Sequence, residues 1–183
     1  MFRVSLSAAV ILATPVALVA DAAQHGKIGF YDVTLAQCFV RDYDAAHMTA
    51  HPKQKVSGIA FATVPGELIT TAAGEVMFAY TLSATMAGID PVMANPGVCY
   101  PGMTADQLEC AGEGDGGLFT LTRQADGTLR LDNPDAITVI NDSAADIDPE
   151  GEYVHIAAVD DQADFRLSPA TTGLCVPQLP NPG

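Results

Sequence analysis

Apolar and polar residues alternate along much of this chain. The clearest case flanks the dipeptide Asp126-Gly127, where Phe119, Leu121, Leu129 and Leu131 fall on one face of two runs, 117–124 and 128–132. A period of two is that of a strand with one buried face, and Asp-Gly supplies a tight turn, so this stretch predicts a β-hairpin. Similar runs at 27–33, 35–41, 55–64, 75–85, 136–141, 153–159 and 164–167 bring the expected strands to nine. Short strands separated by turn residues predict a mainly β fold, a small antiparallel sandwich or barrel.

Two stretches depart from this period. Asp44 can cap a short helix running through Ala45, Ala46, His47, Met48, Thr49 and Ala50 towards His51, and Pro52 discourages its continuation. The stretch 88–117 is punctuated by proline and glycine and reads as a long surface loop pinned by its two cysteines. The last residues, 176–183, are rich in proline and read as an extended tail.

At the amino terminus, Met1, Phe2 and Arg3 precede an uncharged apolar run, Val4 to Ala20, that ends in small residues. This is the plan of a secretory signal peptide, with Ala20-Asp21-Ala22 as the cleavage site and 23–183 as one mature domain. A membrane anchor is the weaker alternative, because the run is at the lower limit for a bilayer span and contains Pro15. No later run approaches membrane length, so the expectation is a periplasmic or extracellular monomer with no span in the mature chain.

Export gives the cysteines a meaning. Cys38, Cys99, Cys110 and Cys175 are an even set, which predicts two disulfides. Three pairings satisfy that count. The preferred one joins Cys99 to Cys110 across the presumed loop and Cys38 to Cys175, tying the last segment to an early strand. No two of the four stand at the spacing of a thiol redox pair or a zinc knuckle.

Charge narrows the partners. The chain has 22 acidic and 8 basic side chains, a formal net charge of −14. Residues 104–166 hold fifteen of the acids against three bases. Such a surface repels phosphate backbones and anionic lipid, which excludes nucleic acid, and favours a basic protein, a polyamine or a metal ion.

Three constellations are candidates for chemistry. His47 and His51 stand four apart on the expected helix, so both imidazoles could serve one transition metal. Asp146, Asp148 and Glu150 follow the first places of a calcium loop, with Glu152 close by, but the twelfth place is Ala157 and the bidentate carboxylate is missing. A solvated acidic turn is the preferred reading there. Glu113 and Asp115 lie in a glycine-rich stretch and form a candidate binding loop. No nucleophile elbow, zinc-protease motif or phosphate-cradling loop occurs, so catalysis has no motif to rest on. The function expected is that of an exported, disulfide-stapled, acidic binding or envelope-associated domain whose ligand is open, with a cationic partner favoured, and whose cofactor is calcium or none. A calcium or transition-metal protein is the alternative, and a carboxylate-dependent hydrolase stands third.

Overall fold

The computed structural model describes residues 27–28, 30–32, 35–140, 153–159 and 162–175. Eight antiparallel strands close into a barrel. They are β3 (Cys38–Asp42), β4 (Val56–Thr70), β5 (Val76–Met86), β6 (Ile89–Pro101), β7 (Gln107–Gly112), β8 (Leu118–Arg123), β9 (Leu129–Asp132) and β12 (Asp164–Ala170). Each pairs with its neighbour in sequence up to β9. The ring is then closed by β12, which pairs with β9 on one side and β3 on the other, with Pro169 opposite Phe39. Two small hairpins complete the architecture: β1 (Lys27–Ile28) with β2 (Tyr31–Asp32), and β10 (Ala136–Ile140) with β11 (Tyr153–Ala157).

The alternation that predicted strands also fills the lumen. In β5, Phe78, Tyr80, Leu82 and Ala84 are buried at every second position, with Leu82 opposite Phe61 and Ala84 opposite Ile59 of β4. The predicted hairpin forms as expected, with Leu121 opposite Leu131 and the turn closed by Gln124 N donating to Thr128 O at 2.9 Å. An eight-stranded barrel is just wide enough to be filled by side chains or to hold one small ligand, and this lumen is filled.

Both barrel ends are covered. At one, Tyr31 of β2 stacks on Phe78 with ring centres 4.3 Å apart. At the other, Ile137, Val139 and Ile156 of the β10–β11 hairpin join the main core. That hairpin belongs to an excursion between β9 and β12 whose ends meet, Asn133 N donating to Ala163 O at 2.8 Å. Within it, Asn133 Nδ2 donates to Ile156 O and Gln162 O, while Gln162 Oε1 accepts the N–H of Lys55, the residue just before β4.

Both disulfides form in the preferred pairing, Cys38–Cys175 and Cys99–Cys110. Cys38 and Cys175 pack with Ala60 and Ala62 as a small second cluster, holding the 3-10 turn Thr172–Leu174 beside β3. The helix α1 (Ala45–Ala50) is capped as expected, Asp44 Oδ1 accepting His47 N at 2.8 Å.

The expected loop at 88–117 is not a loop. It is the hairpin β6–β7, and the Cys99–Cys110 bridge links residues directly opposite each other in the ladder. Pro96 and Gly97 read as loop residues, yet both have a strand-compatible place. Pro96 O accepts Glu113 N, and the N and O of one strand residue point to the same side, so the missing N–H faces the seam where β6 leaves β10 at Ala94 and meets β7 at Gly97. Gly97 is required by close approach: a Cβ there would stand 2.1 Å from Ala111 O and 2.7 Å from the Tyr80 hydroxyl. The other correction is at 27–33, where two strands of two residues each replace the single expected strand.

Candidate functional site

The seam on β6 opens into a groove of about 580 Å³ on the outer wall. Its floor is the apolar pair Ala94 and Pro96, with the buried Asn95 between them in the strand. The turn 113–116 forms one wall, and the other comes from β10 and β11 with Thr138, Ile140, Tyr153 and His155. The turn is shaped by Gly116 N donating to Glu113 O and Gly112 N donating to Gly117 O. Gly117 has a φ of 86°, and a Cβ on it would lie 2.2 Å from Ala136 O, so glycine lets the turn dock against β10.

Asn95 ties these parts together. It is buried, accepts the Tyr80 hydroxyl at 2.8 Å, and donates to Gly116 O at 2.9 Å and Thr138 O at 2.6 Å. One side chain thus joins β5, the turn and β10. Burial, reinforced by the charge of Glu113, pushes the Tyr80 hydroxyl well above its ordinary pKa, so it stays protonated and donates to Asn95.

Glu113 and Asp115, the expected binding loop, are exposed on the groove's rim, and neither forms an ion pair with a described lysine or arginine. Opposite them, His155 and Tyr153 lie on one face of β11. His155 Nδ1 is 3.0 Å from the Thr138 hydroxyl across the ladder. The groove therefore offers two carboxylates, an imidazole, a phenol ring and an apolar floor. Residues 153 and 155 carried a signal in sequence, their spacing of two on an expected strand. Asn95 carried none, lying in a stretch that read as loop.

The other candidates lie elsewhere. His47 and His51 are neighbours, but their rings stack 4.3 Å apart and 18° from parallel. His47 also stacks on Tyr43, and its Nε2 is 3.0 Å from Gln54 Oε1. Imidazole lone pairs lie in the ring plane, so stacked rings aim them side by side rather than at a shared point. Among the described residues, no three His, Cys, Asp or Glu side chains come together as a metal site. Asp146, Asp148, Glu150 and Glu152 lie outside the described residues, in the segment connecting β10 to β11. Among the described residues, no helix is long and apolar enough to cross a membrane. No family model matches the chain, and neither the curated proteins nor the solved structures compared with it gave a match.

Proposed function

We propose that this protein is an exported, disulfide-stapled binding domain, periplasmic or extracellular, that holds a cationic group of a polyamine or a basic protein in the groove between β6, the turn 113–116 and the β10–β11 hairpin. The observation that carries this reading is the pairing of two uncommitted carboxylates, Glu113 and Asp115, with the aromatic ring of Tyr153 across an apolar floor. Carboxylates attract the ammonium or guanidinium, and a phenol ring and apolar base accept the methylenes behind it. The filled lumen supports a site on the outer wall, and the acidic excess of the second half of the chain steers cations towards it.

The test is calorimetric titration with spermidine and with a lysine-rich peptide at low and high salt. Binding should weaken markedly once the screening length falls to about 10 Å or less. The double variant E113Q/D115N should lose about tenfold in affinity, the scale of a charge-assisted contact. Binding that ignores both salt and the double variant sinks the proposal. Calcium is the second reading, favoured by the spacing of Asp146, Asp148 and Glu150 in the segment joining two of the groove's strands. Under that reading the thermal midpoint rises with calcium and falls with chelator, independently of Glu113 and Asp115.

A further inference from the structure

A second site stands at the far end of the barrel, on observations that owe nothing to the groove. Arg123 is the last residue of β8 and lies opposite Leu129, the first of β9. Counted by twos from Phe119 and Leu121, it occupies a lumen-facing position, where the rest of the strand carries buried apolar side chains. There it lines a cleft of about 310 Å³ at the barrel mouth, bounded by Phe30, Phe39, Leu129 and Pro169, with Gln37 at its side.

Arg123 is uncommitted in a chain where acids far outnumber bases. Its guanidinium carbon lies 5.9 Å from the centre of the Phe30 ring, and among the described residues it makes no ion pair and no hydrogen bond. Its neighbours on the outer face differ. Arg130 holds Asp132 at 2.7 Å and Asp164 at 3.2 Å, and Arg166 holds Asp126. The side-chain amide of Gln37 is likewise unpaired among the described residues; its backbone alone is engaged, N to the Thr63 hydroxyl and O from Thr63 N. A guanidinium presents a planar fork of donors that matches a carboxylate, and an amide NH₂ lining the same cleft adds another. The remaining walls are aromatic and aliphatic, and the volume is at the small end for ligand pockets.

We propose that this barrel mouth binds a small organic carboxylate: the carboxylate on Arg123 and Gln37, and a short apolar or aromatic body against Phe30, Phe39, Leu129 and Pro169. A lone guanidinium with four apolar walls suits one negative charge on an apolar body better than a phosphate, whose several oxygens would call for more donors.

The test titrates the full chain with benzoate, phenylacetate and octanoate, and with the matching neutral amides, by calorimetry and amide-resolved NMR. At least one acid should bind saturably and about tenfold or more tightly than its amide, the difference a charge-assisted hydrogen bond supplies. Arg123→Gln should erase that preference without moving the thermal midpoint, since among the described residues the guanidinium makes no hydrogen bond or ion pair and the backbone bond from Arg123 N to Asp106 O survives the change. Phe30→Ala should weaken acid and amide alike. The proposal is overturned if acid and amide bind the unsubstituted protein equally, if none of the acids binds saturably, or if R123Q keeps the preference.

Discussion

Replacing Asn95 by alanine should be among the costliest single polar substitutions in this protein, and its partner Tyr80 allows a test of sign as well as size. The alanine removes three buried hydrogen bonds. Gly116 O keeps a second donor, Thr138 N at 3.1 Å, so its loss is partial. The Tyr80 hydroxyl has no such reserve and is left buried without an acceptor. Taking about 1 kcal/mol for each of the two carbonyls and about 1–3 kcal/mol for the orphaned hydroxyl gives about 4 kcal/mol. That is a large share of a domain stability of about 5–15 kcal/mol. Tyr80→Phe alone should cost about 1–3 kcal/mol, because it orphans Asn95 Oδ1 instead. In the alanine background the same change removes the stranded hydroxyl, so Y80F/N95A should be more stable than N95A by about 1 kcal/mol. Urea unfolding with the disulfides intact, followed by circular dichroism, measures all four corners of the cycle. A double variant less stable than N95A would refute the reasoning, as would an N95A cost below about 1 kcal/mol.

Other expectations test other parts of the fold. The Cys38–Cys175 bridge spans 137 residues and Cys99–Cys110 spans 11. The chain-entropy model therefore gives about 5 kcal/mol for the first and about 3 for the second, and denaturation of the C38A/C175A and C99A/C110A pairs should rank them in that order. Burial pushes the Tyr31 hydroxyl up to about 12, with Asp32 adding to the shift and a Thr63 hydrogen bond opposing it. An unfolded tyrosine ionises near pH 10, so stability should fall as pH rises from there towards 12, and Tyr31→Phe should flatten that part of the curve. At the acid end, hydrogen bonds from Thr128 and Arg166 hold Asp126 down to about 2. Its contribution is present above the ordinary carboxylate range and lost as pH falls towards 2, so Asp126→Asn should remove that limb from a plot of unfolding midpoint against pH.

What could be read in the sequence was what local chemistry decides. Asp126-Gly127 between alternating leucines and phenylalanine specifies a hairpin without help from the rest of the chain. Asp44 ahead of an alanine-rich turn, with Pro52 beyond, does the same for α1. The choice between sandwich and barrel was not legible, because it rests on β12 reaching β3, a pairing between opposite ends of the described chain. Strand β6 was illegible for a different reason: Pro91, Pro96 and Gly97 are turn residues by propensity, and what lets Pro96 and Gly97 sit in a strand is the seam beside one and the close approach of Ala111 O and Tyr80 at the other. The groove followed the same division. Glu113 and Asp115 were visible as an acidic glycine-rich turn, and Tyr153 and His155 shared a strand face. That the two features meet is decided by Asn95, inside the misread strand.

The excursion between β9 and β12 has a consequence for how this architecture can change. Its two ends already stand a hydrogen bond apart, Asn133 to Ala163. What lies between them is therefore a cassette: it leaves the barrel and returns at adjacent strand ends, and among the described residues its one ladder pairing with the ring is Ile140 opposite Ala94 of β6. A shorter or longer insert, or one of different charge, could be exchanged there with the other barrel pairings intact, provided it still caps the lumen where Ile137, Val139 and Ile156 now sit. One wall of the groove travels with that cassette, so what the groove recognises can be altered by swapping a contiguous stretch of chain while the scaffold stays the same.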